Sequence, residues 1–396
     1  GRGVSAILDK LLKGQKVEFK TLGEIGEFIR GKRFVKTDLK DSGVPAIHYG
    51  EMYTHYGIFA EKSKSFVSPE IAKNLRVANY GDVIIVGAGE TIEDIGRSTA
   101  WLGKEDVVIH DACFIFKSKL NPKYFAYFSR TETFQKQIKT SISSGKISAI
   151  NAKGLSKVII PIPPFDVQAE IVRILDAFTA VTAELTAELN MREKQYHYYR
   201  DKLLTFSDDV DWIELGNVAK FINGRAYKQP ELLEQGKYPV LRVGNFFTNA
   251  NWYYSDLELD ADKYANNGDL LYAWSASFGP RIWQGEKVIY HYHIWKVIPN
   301  EKKILKKFLY HILEWDTSSL KSEHSNGSTM MHITKGTIEQ RLIPTPPLNE
   351  QKRIVAILDK FETITKSITE GLPFEIALRQ QQYEYYREQL LDFPKN

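Results

Sequence analysis

The chain of 396 residues has one cysteine, Cys113. A single thiol excludes a disulfide framework and a cysteine-built zinc site. Cys113 stands in the apolar run VVIHDACFIF, so burial is expected. No apolar stretch approaches the ~18 residues of a membrane span. The start, GRGVSAILDKLLKGQ, lacks the apolar core and cleavage site of a signal peptide. These absences lead to the expectation of a cytoplasmic protein with no membrane partner. Catalytic signatures are missing too. No glycine-rich loop ends in Gly-Lys-Ser/Thr, and GAGETIEDIG at 87–96 fails the spacing of a dinucleotide fingerprint. The nine histidines are scattered. His291 and His293 alternate on a strand, but His55, His110, His197, His311, His324 and His332 form no spaced ligand set. Glu90, Glu93 and Asp94 have no lysine at a matching spot in the second half of the chain, and no Asn-Pro-Pro-Tyr/Phe motif of an amino-methyltransferase occurs. The expectation is a binder, not an enzyme, with no catalytic residue and no metal.

What the chain does contain is a long internal duplication. Residues 161–206, beginning PIPPFDVQAEIVRILDAF, recur as 344–393, beginning PTPPLNEQKRIVAILDKF. Gln168, Ile171, Leu175, Asp176 and Phe178 return as Gln351, Ile354, Leu358, Asp359 and Phe361, and Tyr196, Tyr199 and Leu203 as Tyr383, Tyr386 and Leu390. Steps of four and three through Ile171, Leu175, Phe178, Thr182, Leu185, Leu189, Arg192, Tyr196, Tyr199 and Leu203 make an a/d seam, which predicts a coiled-coil helix. The second copy keeps the seam to Ile368 and then carries four extra residues: Asp359 to Tyr383 is 24 positions, against 20 from Asp176 to Tyr196. Gly371 and Pro373 sit there and should kink or break the helix. A helix of roughly 40 residues would span about 60 Å, enough to hold two modules apart. If the extra residues lengthen one helix by about 6 Å, changing them at Leu372 should alter that separation.

The repeat extends to the segments between the helices. VEFKTL at 17–22 parallels VDWIEL at 210–215, and YGDVIIVGAG at 80–89 parallels NGDLLYAWSASFG at 267–279. The predicted order is an N-terminal segment, 1–19, that continues the C-terminal repeat cyclically. A module at 20–160, a helix at 161–206, a module at 207–343 and a helix at 344–396 follow it. Each module is mixed: short β-rich runs bounded by turn residues, then one helical stretch, at 122–139 or 302–321. Asn121-Pro122 is a cap and first turn. The fold class is α+β, with two α/β modules separated by two long antiparallel coiled-coil helices in a pseudo-two-fold repeat.

Charge and loop chemistry point to a polyanion. Residues 20–160 hold 21 Lys/Arg against 15 Asp/Glu, while 207–343 are near neutral. Two pairs of loops occupy equivalent places. Arg30, Lys32 and Arg33 match Asn223 and Arg225, and arginine from such a loop reaches guanine or phosphate. Ser144 and Lys146 match Asn326 and Ser328, small polar residues that can approach a DNA backbone. Tyr198, Arg200, Tyr385 and Arg387 fall off the seam, and tyrosine and arginine favour interfaces, so these four are the candidate partner-binding residues.

The motif Pro-(Ile/Thr)-Pro-Pro-X-X-X-Gln-X-X-Ile-Val-X-Ile-Leu-Asp, followed by Gln-Tyr-X-Tyr-Tyr-Arg-(Asp/Glu)-X-Leu-Leu, resembles the helical regions of the specificity subunit of type I restriction-modification enzymes. The likeness covers the whole chain, including the cyclic order. It implies a non-catalytic DNA-binding subunit whose two target recognition domains read the halves of a bipartite duplex site. It also implies an antiparallel coiled coil that sets the spacer and docks two methyltransferase subunits and two restriction subunits. S-adenosylmethionine, ATP and magnesium would then belong to those partners, and this chain would bind no cofactor. The rival expectation is a solitary or degenerate coiled-coil scaffold that no longer reads DNA.

Overall fold

A computed structural model describes residues 2–246, 249–275, 277–324 and 332–395. The chain forms two compact units: Gly1–Leu185 with Glu375–Asn396, and Thr186–Phe374. The first unit holds both a five-stranded and a four-stranded sheet. The larger runs Gly26–Arg30, Cys113–Ser118, Val83–Val86, Ser98–Trp101, Phe59–Ala60. The smaller runs Ser65–Val67, Val44–Ile47, Val107–Ile109, Arg76–Ala78. The second unit repeats both orders. Ala219–Asn223, Ile294–Pro299, Leu270–Ala273 and Gly279–Ile282 form one sheet. Tyr253–Ser255, Tyr238–Leu241, Val288–Tyr290 and Tyr264–Ala265 form the other. Even register is kept: Phe114 stands opposite Arg30 as Trp295 stands opposite Asn223. Cys113 is fully buried.

The central helix, Phe165–Leu204, is continuous over 40 residues. Ile171 and Leu175 enter the apolar core of the first unit beside Tyr383, Leu390 and Phe393 of the chain end. Phe178 stacks on Tyr386 with ring centroids 5.0 Å apart. In the second unit the repeat-equivalent pair, Tyr199 and Phe361, stacks at 5.6 Å. The start of one repeat thus packs on the end of the other in each unit, the pairing expected of antiparallel helices. The seam is strong there and weak between: Thr182, Leu185 and Leu189 are only half-buried.

The second copy departs from a continuous rod. It is two helices, Leu348–Lys366 and Leu372–Leu390, and Ile368, expected on the seam, is 80% exposed in the break. A Cβ at Gly371 would lie 2.1 Å from the Thr363 carbonyl oxygen, so only glycine lets the chain turn back over the helix end. The extra residues therefore build a turn between two helices instead of lengthening one helix by a full turn. A second departure is smaller. The stretch 122–139 is also two helices, Pro122–Phe128 and Glu132–Lys139, because Thr131 caps the second by accepting from Phe134 N–H.

Each unit is pinned to its long helix by the same buried amide. The Gln168 side chain donates to the Pro163 carbonyl at 2.9 Å and accepts from Asn121 N–H at 3.0 Å. Gln351 donates to Pro346 and Lys303 carbonyls at 2.8 and 3.0 Å and accepts from Leu305 N–H at 2.9 Å. A buried amide in this arrangement serves backbone groups that have no other partner. Eight residues further on, Asp176 accepts from Tyr127 Oη at 2.6 Å and Lys123 Nζ at 2.9 Å. Asp359 faces His311 Nε2 at 2.8 Å and Lys307 Nζ at 3.6 Å. We expect Gln351→Leu to cost roughly 2–3 kcal/mol, since three backbone groups lose their partner. Gln381→Leu, on the exposed side of the last helix, should stay within about 0.5 kcal/mol. Urea denaturation followed by tryptophan fluorescence measures both, and equal midpoints would refute the anchoring role.

Candidate nucleic-acid interface

The two modules build the same corner between their two main sheets. In the first, the strand Val107–Ile109 turns through His110-Asp111-Ala112 into Cys113–Ser118. His110 N–H donates to Ile47 O at 3.2 Å, and Cys113 N–H closes the turn on His110 O at 3.0 Å. In the second, Val288–Tyr290 turns through His291-Tyr292-His293 into Ile294–Pro299. His291 N–H donates to Leu241 O at 2.9 Å, and Ile294 N–H to His291 O at 3.0 Å. The sequence already held this match, in VVIHDACF against VIYHYHIW, but histidine spacing alone did not reveal it.

Both candidate loops converge on this corner. Arg30 Nε donates to Asp111 O at 2.9 Å, and Asn223 Nδ2 to Tyr292 O at 3.3 Å. Gly31 N–H and Gly224 N–H bond Cys113 O and Ile294 O. A Cβ at Gly31 would lie 2.1 Å from His110 O, and one at Gly224 2.2 Å from Tyr290 O, so the two loops need glycine for close approach. On the other side, Gly87 N–H donates to Ala112 O and Ile150 N–H to Gly87 O. That ladder carries the strand Ser148–Ala149, which ends the loop of Ser144 and Lys146. Trp274 N–H to His293 O and Ile333 N–H to Trp274 O repeat it. Asn326 and Ser328 lie outside the described residues.

The side chains on this frame differ in their freedom. Lys32 and Arg33 are exposed, with no acidic partner among the described residues. Ser144 and Lys146 are also exposed. Arg225 is latched: its guanidinium meets Glu231 at 2.9 and 3.0 Å, and this pairing holds the Glu231 carboxyl down at about 2. The two corner histidines share one geometry. Nδ1 of His110 accepts from Ala112 N–H at 3.0 Å, and Nδ1 of His291 from His293 N–H at 3.3 Å. Burial pushes both imidazoles down to about 4. The neighbouring His48 adds to the shift for His110, and His293 and Arg242 add to it for His291. Both are therefore neutral near pH 7, with the second ring nitrogen carrying the proton.

The four helix residues chosen as partner contacts divide into two kinds. Tyr198 and Tyr385 are exposed, at 61% and 46%. Arg200 and Arg387 are turned inward, their side chains 13% and 16% exposed, over the rings of Tyr196 and Tyr383. Of the four, the tyrosines and not the arginines are presented to solvent. One metal-type cluster exists among the described residues: His311, Asp359 and Glu362, with ligand atoms within 4.8 Å of one another. Its two ring nitrogens face different carboxylates, Nε2 toward Asp359 and Nδ1 toward Glu362 at 3.4 Å, and Lys307 and Lys366 stand beside those acids. That arrangement suits a buried imidazole bridging two acids better than an ion.

A family profile described as the type I restriction modification DNA specificity domain matches residues 14–192 and again 207–378. A putative type I restriction enzyme specificity subunit of Haemophilus influenzae is 34% identical over 98% of both chains. The EcoR124I/EcoR124II specificity subunit of Escherichia coli is 33% identical over 98% of this chain and 97% of that one. The crystal structure of a type I restriction-modification S subunit from M. genitalium superposes with a TM-score of 0.59 at 14% identity, covering 96% of this chain and 97% of that one. Among the described residues no helix is long and apolar enough to cross a membrane.

The corner histidines make a pH prediction. Their folded-state values lie below the ordinary 6.5, so the unfolded chain takes up protons first as pH falls. The stability they support is complete above about pH 6.5 and is lost as pH drops toward 4. Thermal melting between pH 7.5 and 4.5 should show a shallower acid loss for the double variant His110→Asn and His291→Asn than for the parent. Identical slopes would contradict it.

Proposed function

Because the chain belongs to the type I restriction-modification DNA specificity family, we propose that it reads a bipartite site in duplex DNA, one module per half-site. The observation that carries this reading is the corner built twice, with the same backbone hydrogen bonds and different side chains. A frame of that kind holds a reading surface rigid while leaving its chemistry free to differ between half-sites. Phosphate contacts come from Arg30, Lys32, Arg33, Ser144 and Lys146 in the first module. In the second they come from Asn223, and from Arg225 once it leaves Glu231.

The remaining roles belong to partners. Two methyltransferase subunits dock on the helical repeats, with Tyr198 and Tyr385 as exposed contacts, and two motor-nuclease subunits complete the assembly. S-adenosylmethionine supplies the methyl group for adenine N6, and ATP with magnesium drives cleavage, all on the partner subunits. This chain performs no chemical step. Its contribution is binding: joining two modest readers in one chain makes the second contact intramolecular, so affinity rises without further contacts.

The direct test is co-expression with the methyltransferase subunit and mapping of N6-methyladenine across the host genome. A bipartite motif that vanishes when this chain is omitted is expected; a complex that forms but leaves the genome unmethylated would favour a scaffold. A second prediction separates the modules. Gly31→Val should push the Arg30–Arg33 loop off its corner and weaken recognition of one half-site at least tenfold, each good base contact being worth about 1–3 kcal/mol. Gly224→Val should affect only the other half-site. Duplexes substituted in one half at a time report which is lost, and a symmetric loss would contradict the assignment of one module to one half.

A further inference from the structure

The corner itself, and not only the loops flanking it, carries two side chains without an internal task. Asp111 is the middle residue of the first corner and Tyr292 of the second. Their carbonyls are fixed by Arg30 and Asn223, at 2.9 and 3.3 Å. The polar atoms of their side chains are not. The Asp111 carboxylate is 31% exposed, and no described residue donates a hydrogen bond to it. His110 Nδ1 lies 3.2 Å away, but that nitrogen already accepts from Ala112 N–H and cannot also donate. The Tyr292 ring is 37% exposed, packed edge-on to Trp274, and its hydroxyl has no partner among the described residues.

We propose that Asp111 and Tyr292 are the specificity-determining side chains of their modules, each reading a base edge in its own half-site. The inference rests on the DNA-reading function above and deepens it. An acid among Arg30, Lys32 and Arg33 is unfavourable near phosphates unless it accepts from a base. The donors available on base edges in the major groove are the amino groups of cytosine and adenine. Asp111 therefore selects an amino-bearing base. Tyr292 has the opposite polarity. Its hydroxyl donates to guanine O6 or N7, adenine N7 or thymine O4, and its ring offers apolar contact to a thymine methyl. Position strengthens the case: the backbone is identical in the two corners, and the middle residue is where acid and phenol alternate.

The test uses the complete complex with Asp111→Asn, Asp111→Ala and Tyr292→Phe. These side chains make no hydrogen bond within the protein, so melting temperatures should match the parent. Binding is measured on the parental site and on duplexes with every single-base change in both half-sites. Asp111→Ala should relax one cytosine or adenine position in one half-site, shrinking its discrimination roughly tenfold or more, and leave the other half-site and the spacer unchanged. Asp111→Asn, which adds a donor, should shift preference at that same position. Tyr292→Phe should act only in the other half-site. Unchanged discrimination at every position in the variants overturns the proposal alone. So does an equal loss on all duplexes, including one scrambled in both half-sites, which would mark a scaffolding role. If the parental complex shows no bipartite preference at all, the DNA-reading premise fails and the proposal with it.

Discussion

The structure depends first on a buried amide clamped between a module and its long helix. A glutamine at this depth is tolerated because it donates to a carbonyl of the proline-rich turn and accepts from the N–H that begins the module's own helix. The clamp thereby fixes three things together: where the module ends, where the long helix begins, and where the module helix is seated. The aspartate eight residues later repeats the fixation one layer along. In the first unit its partners are Tyr127 and Lys123, in the second His311 and Lys307. The acid and a lysine partner are kept while the second partner changes from phenol to imidazole, so the site tolerates either donor.

From that anchoring the reading surface follows. Sheet order and register are the same in both units, so the turn joining the two sheets falls in the same place twice. Glycines 31 and 224 let a loop lie directly against that turn, where any side chain would collide with backbone oxygen. The neutral histidine then closes the turn from within, its Nδ1 holding the amide two residues on. Rigidity of this sort removes conformational cost at the moment of binding. It also confines divergence to side chains whose change does not disturb the frame.

Much of this was legible in the sequence, and the omissions have physical reasons. The duplication and the helical repeats follow from periodicity, and the break follows from the backbone freedom of Gly371 beside the fixed φ of Pro373. The Asn121 cap follows from side-chain chemistry instead, since its side chain accepts from Lys123 and Tyr124 N–H. Periodicity did not reveal that the seam weakens through Thr182, Leu185 and Leu189, because a heptad pattern says which face is apolar and not whether anything covers it. Off-seam arginines read as surface residues, yet Arg200 and Arg387 fold their long chains back over tyrosine rings. The corner was hidden because Arg30, His48 and His110 lie far apart in the chain, brought together by the parallel pairing of Val107–Ile109 with Val44–Ile47 and the antiparallel pairing of Cys113–Ser118 with Gly26–Arg30. Only the alignment of one module on the other exposes it.

The two modules differ most in charge, and the difference bears on how they share binding. The first has an excess of 21 over 15 basic to acidic residues, and loop cations that no described acid neutralises. The second is near neutral, and its candidate loop cation is paired within the protein, Arg225 with Glu231. Counterion release therefore favours the first module as the one that engages DNA with less regard to sequence. In the second, Arg225 reaches a phosphate only by exchanging its internal ion pair for an external one. Such an exchange is nearly neutral in energy unless a correct base edge adds to it. A weak but discriminating second reader suits a chain whose first reader already holds the duplex, because linkage raises its effective concentration without adding any non-specific affinity.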